Sequence, residues 1–373
     1  MKKIIVKLLT FIIILSMLTG CWDERPFKNA KIIVGVSFDQ GKNENIESTV
    51  LIPTVQGGGI HSETEKLQTV TTEANTPLDV RNHLDIMVSN SIDPSKLQVI
   101  LLGEELAKKD IYPILDVFYR NAYNNLNAMI AITEGSATEV INTQPANEAN
   151  QSKYLVGIIN AATNTTLYSG ENLQMICAEL FEPGEDFVLP YLSKSDENNS
   201  VRFSGLALFH DKNFTGEVIR HEDAVLLTLM DGHKGKQSRI TRQIPKKKDY
   251  DVYNYVTIDV LKNKKDIKYQ LDQNKITIDL NFSVRILEYP PNQLKEIKNI
   301  KELTKTLEEE LTKEATSIIK KLQEANSDIL SLGRKAQAYH YNEWKQMNWE
   351  KDYKNLEIIP NVKVTIKDIG IID

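Results

Sequence analysis

The sequence of 373 residues predicts an α+β fold of the α/β type that follows a cleaved export signal. Two observations favour this class. Strand and helix patterns alternate over residues 69–142, and long alternating strands precede an amphipathic helix pair and a closing strand over residues 253–366. Removing the first 20 residues from 373 leaves 353, which is enough for two or three domains at about 150 residues each.

The first element is the export signal, residues 1–20. Lys2, Lys3 and Lys7 supply positive charge, residues 8–18 supply an apolar core, and Thr19-Gly20 precedes Cys21. This core is too short to span a bilayer, which needs about 20 apolar residues. Two small residues before a cysteine are typical of the bacterial lipobox, in which the thiol receives diacylglycerol and cleavage leaves an N-acylated first residue. We expect Cys21 to be that residue; the alternative is an ordinary secretory signal.

The predicted N-terminal α/β domain covers residues 21–200. Its predicted strands, rich in β-branched or apolar residues and in part adjacent and parallel, are residues 31–38, 47–55, 97–102 and 128–133. Its predicted helices are residues 77–88, 104–120 with a break near Pro113, 136–141 and 172–181. The stretch from 56 to 66 contains Gly57-Gly58-Gly59 and predicts a loop, and residues 143–200 are otherwise irregular.

Residues 201–250 are predicted to be a middle domain or subdomain made of a hairpin and a helix. Residues 201–210 and 214–219 alternate around the turn 211–213, and a short helix follows at 222–230. The basic run Lys246-Lys247-Lys248 beside a proline indicates a solvated linker.

The predicted C-terminal α+β domain covers residues 251–373. Its strands are expected at 253–261 and 275–287, with a charged turn region at 262–268 between them, and at 362–366. Apolar residues recur every three or four positions from Leu294 to Leu322, which predicts an amphipathic helix of some thirty residues. Asn326-Ser327 ends that helix ahead of a second one at 328–340, and we expect this long helix pair to pack on one face of the sheet.

The charge of the chain excludes some partners. Lys and Arg number 45 against 51 Asp and Glu, and loss of three lysines with the signal gives 42 minus 51, or −9. Nucleic acid is therefore not an expected partner. An acidic body is not drawn to anionic lipid either, so membrane residence depends on the anchor or on partner proteins.

The two cysteines cannot form an intramolecular disulfide if Cys21 is acylated. Cys177 lies in an apolar helical run, residues 173–180, which favours a buried structural thiol.

Catalytic patterns are not present in the sequence. No histidine stands in a His-Glu-x-x-His pair or near a cysteine at metal-ligand spacing, and no Gly-x-Ser-x-Gly elbow occurs. His210 and His221 flank the predicted hairpin and could bridge a metal, although turn and surface histidines are the ordinary interpretation. We therefore expect no catalytic residue, metal or cofactor, and a protein that is not an enzyme.

Four segments carry a resemblance to a known family. They are Gly20-Cys21-Trp22-Asp23, the strand-to-helix segment 97–107, the hairpin segment 201–209, and Asp328-Ile329 with Gly333, Trp344 and the closing strand to Gly370. In this order they resemble the Ger(x)C family of spore germination lipoproteins, the C subunits of nutrient germinant receptors. The chain departs from the family at Pro26 or Phe27, where a Glu is usual, at Asn342, where a proline is frequent, and at Asn75, where glycine is common.

The resemblance implies three domains, each a β-sheet flanked by helices. It also implies a subunit without enzymatic activity, anchored by lipid on the outer face of the spore inner membrane. Its implied partners are two integral membrane subunits, one similar to amino-acid transporters, and together they trigger germination in response to nutrients. The alternatives are a solute-binding lipoprotein of a transporter, which shares the anchor, and an envelope hydrolase.

Overall fold

The computed structural model describes residues 3–5, 30–56, 64–88, 90–145, 148, 150–195, 199–245 and 249–370. Most of the export signal, Cys21 with the Trp22-Asp23 motif, the glycines of the loop at 57–59 and the Lys246-Lys247-Lys248 linker lie outside these residues. Within the described parts, no helix combines the length and the apolar character that crossing a bilayer requires.

Strands of the first two-thirds of the chain form an eight-stranded sheet and a small parallel pair. In chain order they are β1 (Ala30–Ile32), β2 (Gly35–Gln40), β3 (Ile46–Gln56), β4 (Thr64–Ala74), β5 (Ser91–Asp93), β6 (Val99–Gly103), β7 (Met129–Thr133), β8 (Val188–Ser195), β9 (Ser200–His210) and β10 (Asn213–Arg220). The large sheet has the order β10-β9-β8-β7-β6-β2-β3-β4, and β1 pairs with β5.

The centre of the large sheet is parallel, as the sequence predicts. Strands β2, β6, β7 and β8 pair in parallel, while β3 and β4 on one side and β9 and β10 on the other are antiparallel. Every residue of β6 is buried, because central parallel strands are covered on both faces.

Helices of this part cover both faces of the large sheet. They are α1 (Pro77–Met87), α2 (Glu104–Ala107), α3 (Tyr112–Tyr119), α4 (Ala137–Ile141), α5 (Gln151–Asn164), α6 (Leu173–Glu179) and α7 (His221–Asp231). Side-chain caps fix several starts: the Thr76 hydroxyl accepts from the Asp79 amide at 3.1 Å, and Ser136 and Asn172 cap α4 and α6 in the same way.

A second sheet of four strands follows, with a long helix on it. Its strands are β11 (Arg239–Gln243), β12 (Tyr255–Gln270), β13 (Lys275–Glu288) and β14 (Glu357–Asp368), in the order β11-β12-β13-β14. Helix α8 (Ile297–Glu324) connects β13 to its parallel neighbour β14 and buries Leu303, Leu307, Leu311 and Ile318. Between α8 and β14 lie α9 (Leu332–Tyr339), α10 (Tyr341–Trp344), α11 (Trp349–Asp352) and a 3-10 turn at Tyr353–Asn355. The amphipathic helix and the closing strand are confirmed.

The apolar core has two parts, one on each face of the large sheet. On one face, Ile100 and Leu102 pack with α1 and α3 residues. On the other, Leu101 belongs to a cluster that continues through α7 to Ile278 of β13 and Leu311 of α8. The cluster that contains Leu101 is therefore shared by the two sheets.

The interval 201–250 is divided between the two sheets, which differs from the predicted middle domain. Strands β9 and β10 extend the large sheet through the antiparallel pairing of β8 with β9, whereas β11 begins the second sheet. The boundary near residue 200 consequently falls inside a sheet, because the strands on either side of it are joined by a ladder of hydrogen bonds.

Three stretches of the chain also differ from the sequence interpretation. Residues 262–268 continue β12 instead of forming a turn region, with exposed charges on one face and backbone pairing to β13. Helix α5 and strand β8 occupy much of the interval 143–200 that reads as irregular. The second C-terminal helix begins at Leu332 and not at Asp328. Its N-cap residue is Ser331, and the Asp328 side chain caps the Leu332 and Gly333 amides from outside the helix.

Candidate functional site

Cys21 lies outside the described residues, so its acylation stays a prediction. Strand β1, at Ala30–Ile32, is the part of the body that follows it along the chain.

Cys177 is a free thiol on α6 and is half-buried, less enclosed than the sequence suggests. Burial raises its thiol pKa, which disfavours the thiolate that a nucleophile would need.

A cleft of about 840 Å³ lies between three segments, and we call it the central cleft. They are the loop 181–187 before β8, the turn of the β9–β10 hairpin at 210–213, and the segment 326–353 that follows α8. The cleft thus lies where the edge of the large sheet contacts the C-terminal helices.

Asp328 is the most deeply buried acid of the central cleft. Its carboxylate accepts the Leu332 amide at 2.9 Å, the Gly333 amide at 2.7 Å and the Trp349 indole Nε1–H at 3.0 Å. Burial nevertheless raises its pKa to about 7, although the hydrogen bonds from Gly333 and Leu332 oppose this rise. Asp328 therefore joins the start of α9 to α11.

Asp186 connects the three segments from the side of the large sheet. Its carboxylate accepts the main-chain amide of Asp328 at 2.8 Å and that of Asp211 at 2.7 Å. The Asp186 amide in turn donates to the Asp328 carbonyl at 3.2 Å. The Ser327 hydroxyl donates to the Phe209 carbonyl, which adds a bond between the end of α8 and β9.

His210 lies between two carboxylates from different segments. Its Nδ1 is 3.5 Å from Asp186 Oδ2, and its Nε2 is 2.7 Å from Glu350 Oε1 on α11. Asp186 and then Glu350 raise the pKa of His210 to about 9, against the opposing effect of burial. His210 is therefore a cation at neutral pH, and it links the hairpin to the C-terminal helices.

Two glycines allow the segments to approach at backbone distance. A Cβ on Gly184 would stand 2.8 Å from the Gly333 carbonyl carbon, and Gly184 also has a φ of +75°. The Arg334 amide donates to the Gly184 carbonyl at 2.8 Å. A Cβ on Gly333 would overlap the indole of Trp349.

The hairpin does not form the metal bridge between His210 and His221 that we considered from the sequence. His221 Nδ1 lies 3.4 Å from Glu222, at the exposed start of α7. His210, Asp211 and Glu350 instead bring one ligand atom each within 4.8 Å of one another. Because His210 must lose its proton before a metal can bind, the arrangement favours an ion-pair cluster over a metal centre.

Sequence reasoning missed most of this cleft. The missed residues are polar side chains outside long elements, Asp186 and Asn326 in connecting segments and Glu350 in the short helix α11. A sequence does not distinguish such residues from ordinary solvent-exposed ones. Asp328 followed by Gly333 is the one usable signal, since an acid just before a helix indicates a cap.

Two family models match successive parts of the chain. Residues 23–194 match the model described as spore germination protein N-terminal domain, and residues 204–370 match the model described as spore germination B3/GerAC like, C-terminal. The central cleft uses residues from both matched parts.

Relatives of similar length align over nearly all of the chain. Spore germination protein GerQC of Bacillus cereus is 24% identical and covers 95% of this chain and 97% of its own. Putative spore germination protein YfkR of Bacillus subtilis is 24% identical and covers 100% and 98%, and spore germination protein A3 of the same species is 23% identical and covers 98% of each.

A solved structure has the same fold. The crystal structure of the GerBC protein superposes with a TM-score of 0.53 at 14% identity, over 89% of this chain and 97% of that one. The likeness confirms the α+β fold of several sheets and helices.

Proposed function

The chain belongs to the Ger(x)C family of spore germination proteins, and from this membership we propose that it is the lipid-anchored subunit of a nutrient germinant receptor. The observation that carries the proposal is that relatives named as spore germination proteins align with the chain from end to end.

Cys21 would hold the protein at the outer face of the membrane. Burial of acyl chains contributes about 0.8 kcal/mol per CH₂, and since one chain binds only marginally, two or three chains on one residue give stable attachment. The sequence Leu18-Thr19-Gly20-Cys21 supports this assignment. The net negative charge of the body supports it too, because it gives no overall attraction to anionic lipid.

The subunit would act by binding two integral membrane subunits, one of them transporter-like. The central cleft supports a role in which contacts matter more than bond-making. Its charged groups are paired to one another across segments, His210 with Asp186 and Glu350, and the Asp328 carboxylate with three donors. A partner that bound beside this cleft would affect both matched parts of the chain at once.

Substitution of Cys21 tests the anchor and the function together. In spores that depend on this receptor alone, we expect Cys21→Ala to abolish both palmitate labelling of the protein and germination in nutrient, while sporulation proceeds. Cys177→Ser is the matched control, because it removes the other cysteine and should leave labelling and germination unchanged. Retention of the label in Cys21→Ala would contradict the anchor, and nutrient germination at the normal rate in a deletion strain would contradict the receptor role.

A further inference from the structure

A second concave feature, which shares Glu185 and Asp186 with the central cleft, lies between α6, the end of α7 and α9. It has a volume of about 440 Å³ and we call it the acidic pocket. Glu171 and Glu179 line it, together with the apolar residues Phe187, Val188 and Ile329. A volume in this range is typical of small-molecule sites, and the wall is mixed, with charged and polar residues beside these three apolar ones.

The two glutamates of the acidic pocket have unused hydrogen-bonding capacity. Glu171 is only 7% exposed, and among the described residues neither its Oε2 nor that of Glu179 has a hydrogen-bond partner. A buried carboxylate oxygen without a partner costs free energy, so such an atom is expected to have one in the state that functions. Both glutamates belong to the wall of the same pocket.

Other charged groups surround the glutamates from every neighbouring element. They are Asp231 at the end of α7, His233 just after it, Lys265 of β12, Glu185 and Asp186 of the loop before β8, and Arg334 and Lys335 of α9.

The cations among these groups already have partners. The Arg334 guanidinium donates to Glu185 at 2.5 Å, and His233 Nδ1 lies 2.8 Å from Asp231 Oδ2. The Lys335 ammonium donates to a main-chain carbonyl at 2.6 Å. The unpartnered oxygens of the acidic pocket therefore lack a hydrogen-bond donor, and a positively charged donor suits them best because it stabilises the ionised form of both glutamates.

We propose that the acidic pocket binds a small organic molecule that carries a primary ammonium group on an apolar body. The ammonium donates to Glu171 and Glu179, and the apolar part packs on Phe187, Val188 and Ile329. A bare metal ion fits the pocket less well, because it would use neither the apolar wall nor most of the volume. The inference goes beyond the proposed function and does not depend on it.

The protonation of the glutamates gives the proposal a distinctive signature. Burial raises the pKa of Glu179 to about 8 and also raises that of Glu171. At pH 7 the empty pocket therefore holds Glu179 mostly as the neutral acid. An entering ammonium stabilises the carboxylate, so binding releases a proton to the buffer.

Calorimetry with phenethylamine tests the site on the full chain purified in detergent. We expect a dissociation constant of about 1 mM or tighter, no binding of the neutral match 2-phenylethanol, and none of magnesium chloride. The binding enthalpy at pH 7 should differ between phosphate and MOPS buffers, since a released proton is taken up by the buffer. Failure of phenethylamine to bind, or binding of magnesium in its place, would overturn the proposal.

Isosteric variants locate the binding. Glu171→Gln and Glu179→Gln should each weaken phenethylamine binding at least tenfold, and Glu179→Gln should also remove most of the buffer dependence. Glu217→Gln, at an exposed position of β10, is the control and should bind as the parent does. Equal affinity in all three variants would place the amine elsewhere and overturn the assignment. Because the germination experiment uses Cys21, its outcome and this one are independent.

Discussion

Asp328 and His210 have opposite charges and the same role in the central cleft. The Asp328 carboxylate collects three donors from α9 and α11, and His210 joins Asp186 to Glu350. Asp328 follows α8 and is bound to α9 and α11. His210 belongs to the β9–β10 hairpin of the large sheet and is bound to α11. Removing Asp328 would leave buried donors without an acceptor, and removing His210 would leave the Asp186 carboxylate, which is largely buried, without its cation. Either loss is costly in a site of low dielectric.

The His210 ion pairs predict a pH dependence of stability. The folded-state pKa of about 9 lies above the ordinary value of 6.5, so protonation stabilises the fold. That contribution is complete below about pH 6.5 and is lost as the pH rises through 9. We expect His210→Gln to remove about 2 kcal/mol at pH 6 and much less at pH 10, a figure reduced for the exposure of Glu350.

Urea unfolding of the parent and of His210→Gln at several pH values measures this difference. The pH dependence that comes from groups titrating in both proteins cancels when the two free energies of unfolding are subtracted. His221→Gln is the control, because that histidine is exposed beside Glu222. A destabilisation by His210→Gln that stays constant from pH 6 to pH 10 would contradict the assigned ion pairs.

At the residue scale, little of this site could be predicted from the sequence. The Asp328 cap has a local signal, because cap and helix are four residues apart. Asp186 and Glu350 contact His210 over separations of 24 and 140 positions in the chain, and no short-range pattern encodes such contacts. Their side chains look solvated until the fold brings them together.

At the scale of elements, the start of α9 depends on a close approach that only glycine permits. Gly333 lies against the Trp349 indole and beside Gly184, and its amide donates to Asp328. A side chain at this position would push α9 away from α11 and from the loop before β8.

Two glycine substitutions with opposite expected signs test this packing. Gly333→Ala should destabilise the protein by about 2 kcal/mol, because its methyl group overlaps the indole. Gly157→Ala, inside α5 with open space around the new methyl group, should stabilise it by about 0.5 kcal/mol. Urea unfolding measures both, and equal effects in the two variants would contradict the described contact.

The elements that the sequence predicts best are those with an uninterrupted period. Helix α8 and strands β6 and β7 show their apolar pattern over their whole length and appear where expected. Strand β8 contains Pro190 and α5 contains Gly157, and both residues weaken the local signal. The charged end of β12 reads as a turn region, because only its backbone pairing with β13 makes it a strand.

At the scale of the whole molecule, the boundary between the two matched family models does not coincide with the boundary between the two sheets. The matched models meet between residues 194 and 204, near the predicted boundary at 200, yet β8 and β9 pair across that point. The shared core and the central cleft add further contacts between the two parts. This arrangement favours a body that moves as a unit, while the division into three domains stays a prediction.

Co-purification shows whether this body is a membrane-held receptor subunit. We expect the acylated protein, isolated from spore membranes in mild detergent through a C-terminal tag, to bring with it two integral membrane proteins, one of them transporter-like. The Cys21→Ala protein should not be recovered with them. Recovery of the acylated protein alone, or with the components of a solute transporter instead, would contradict the account.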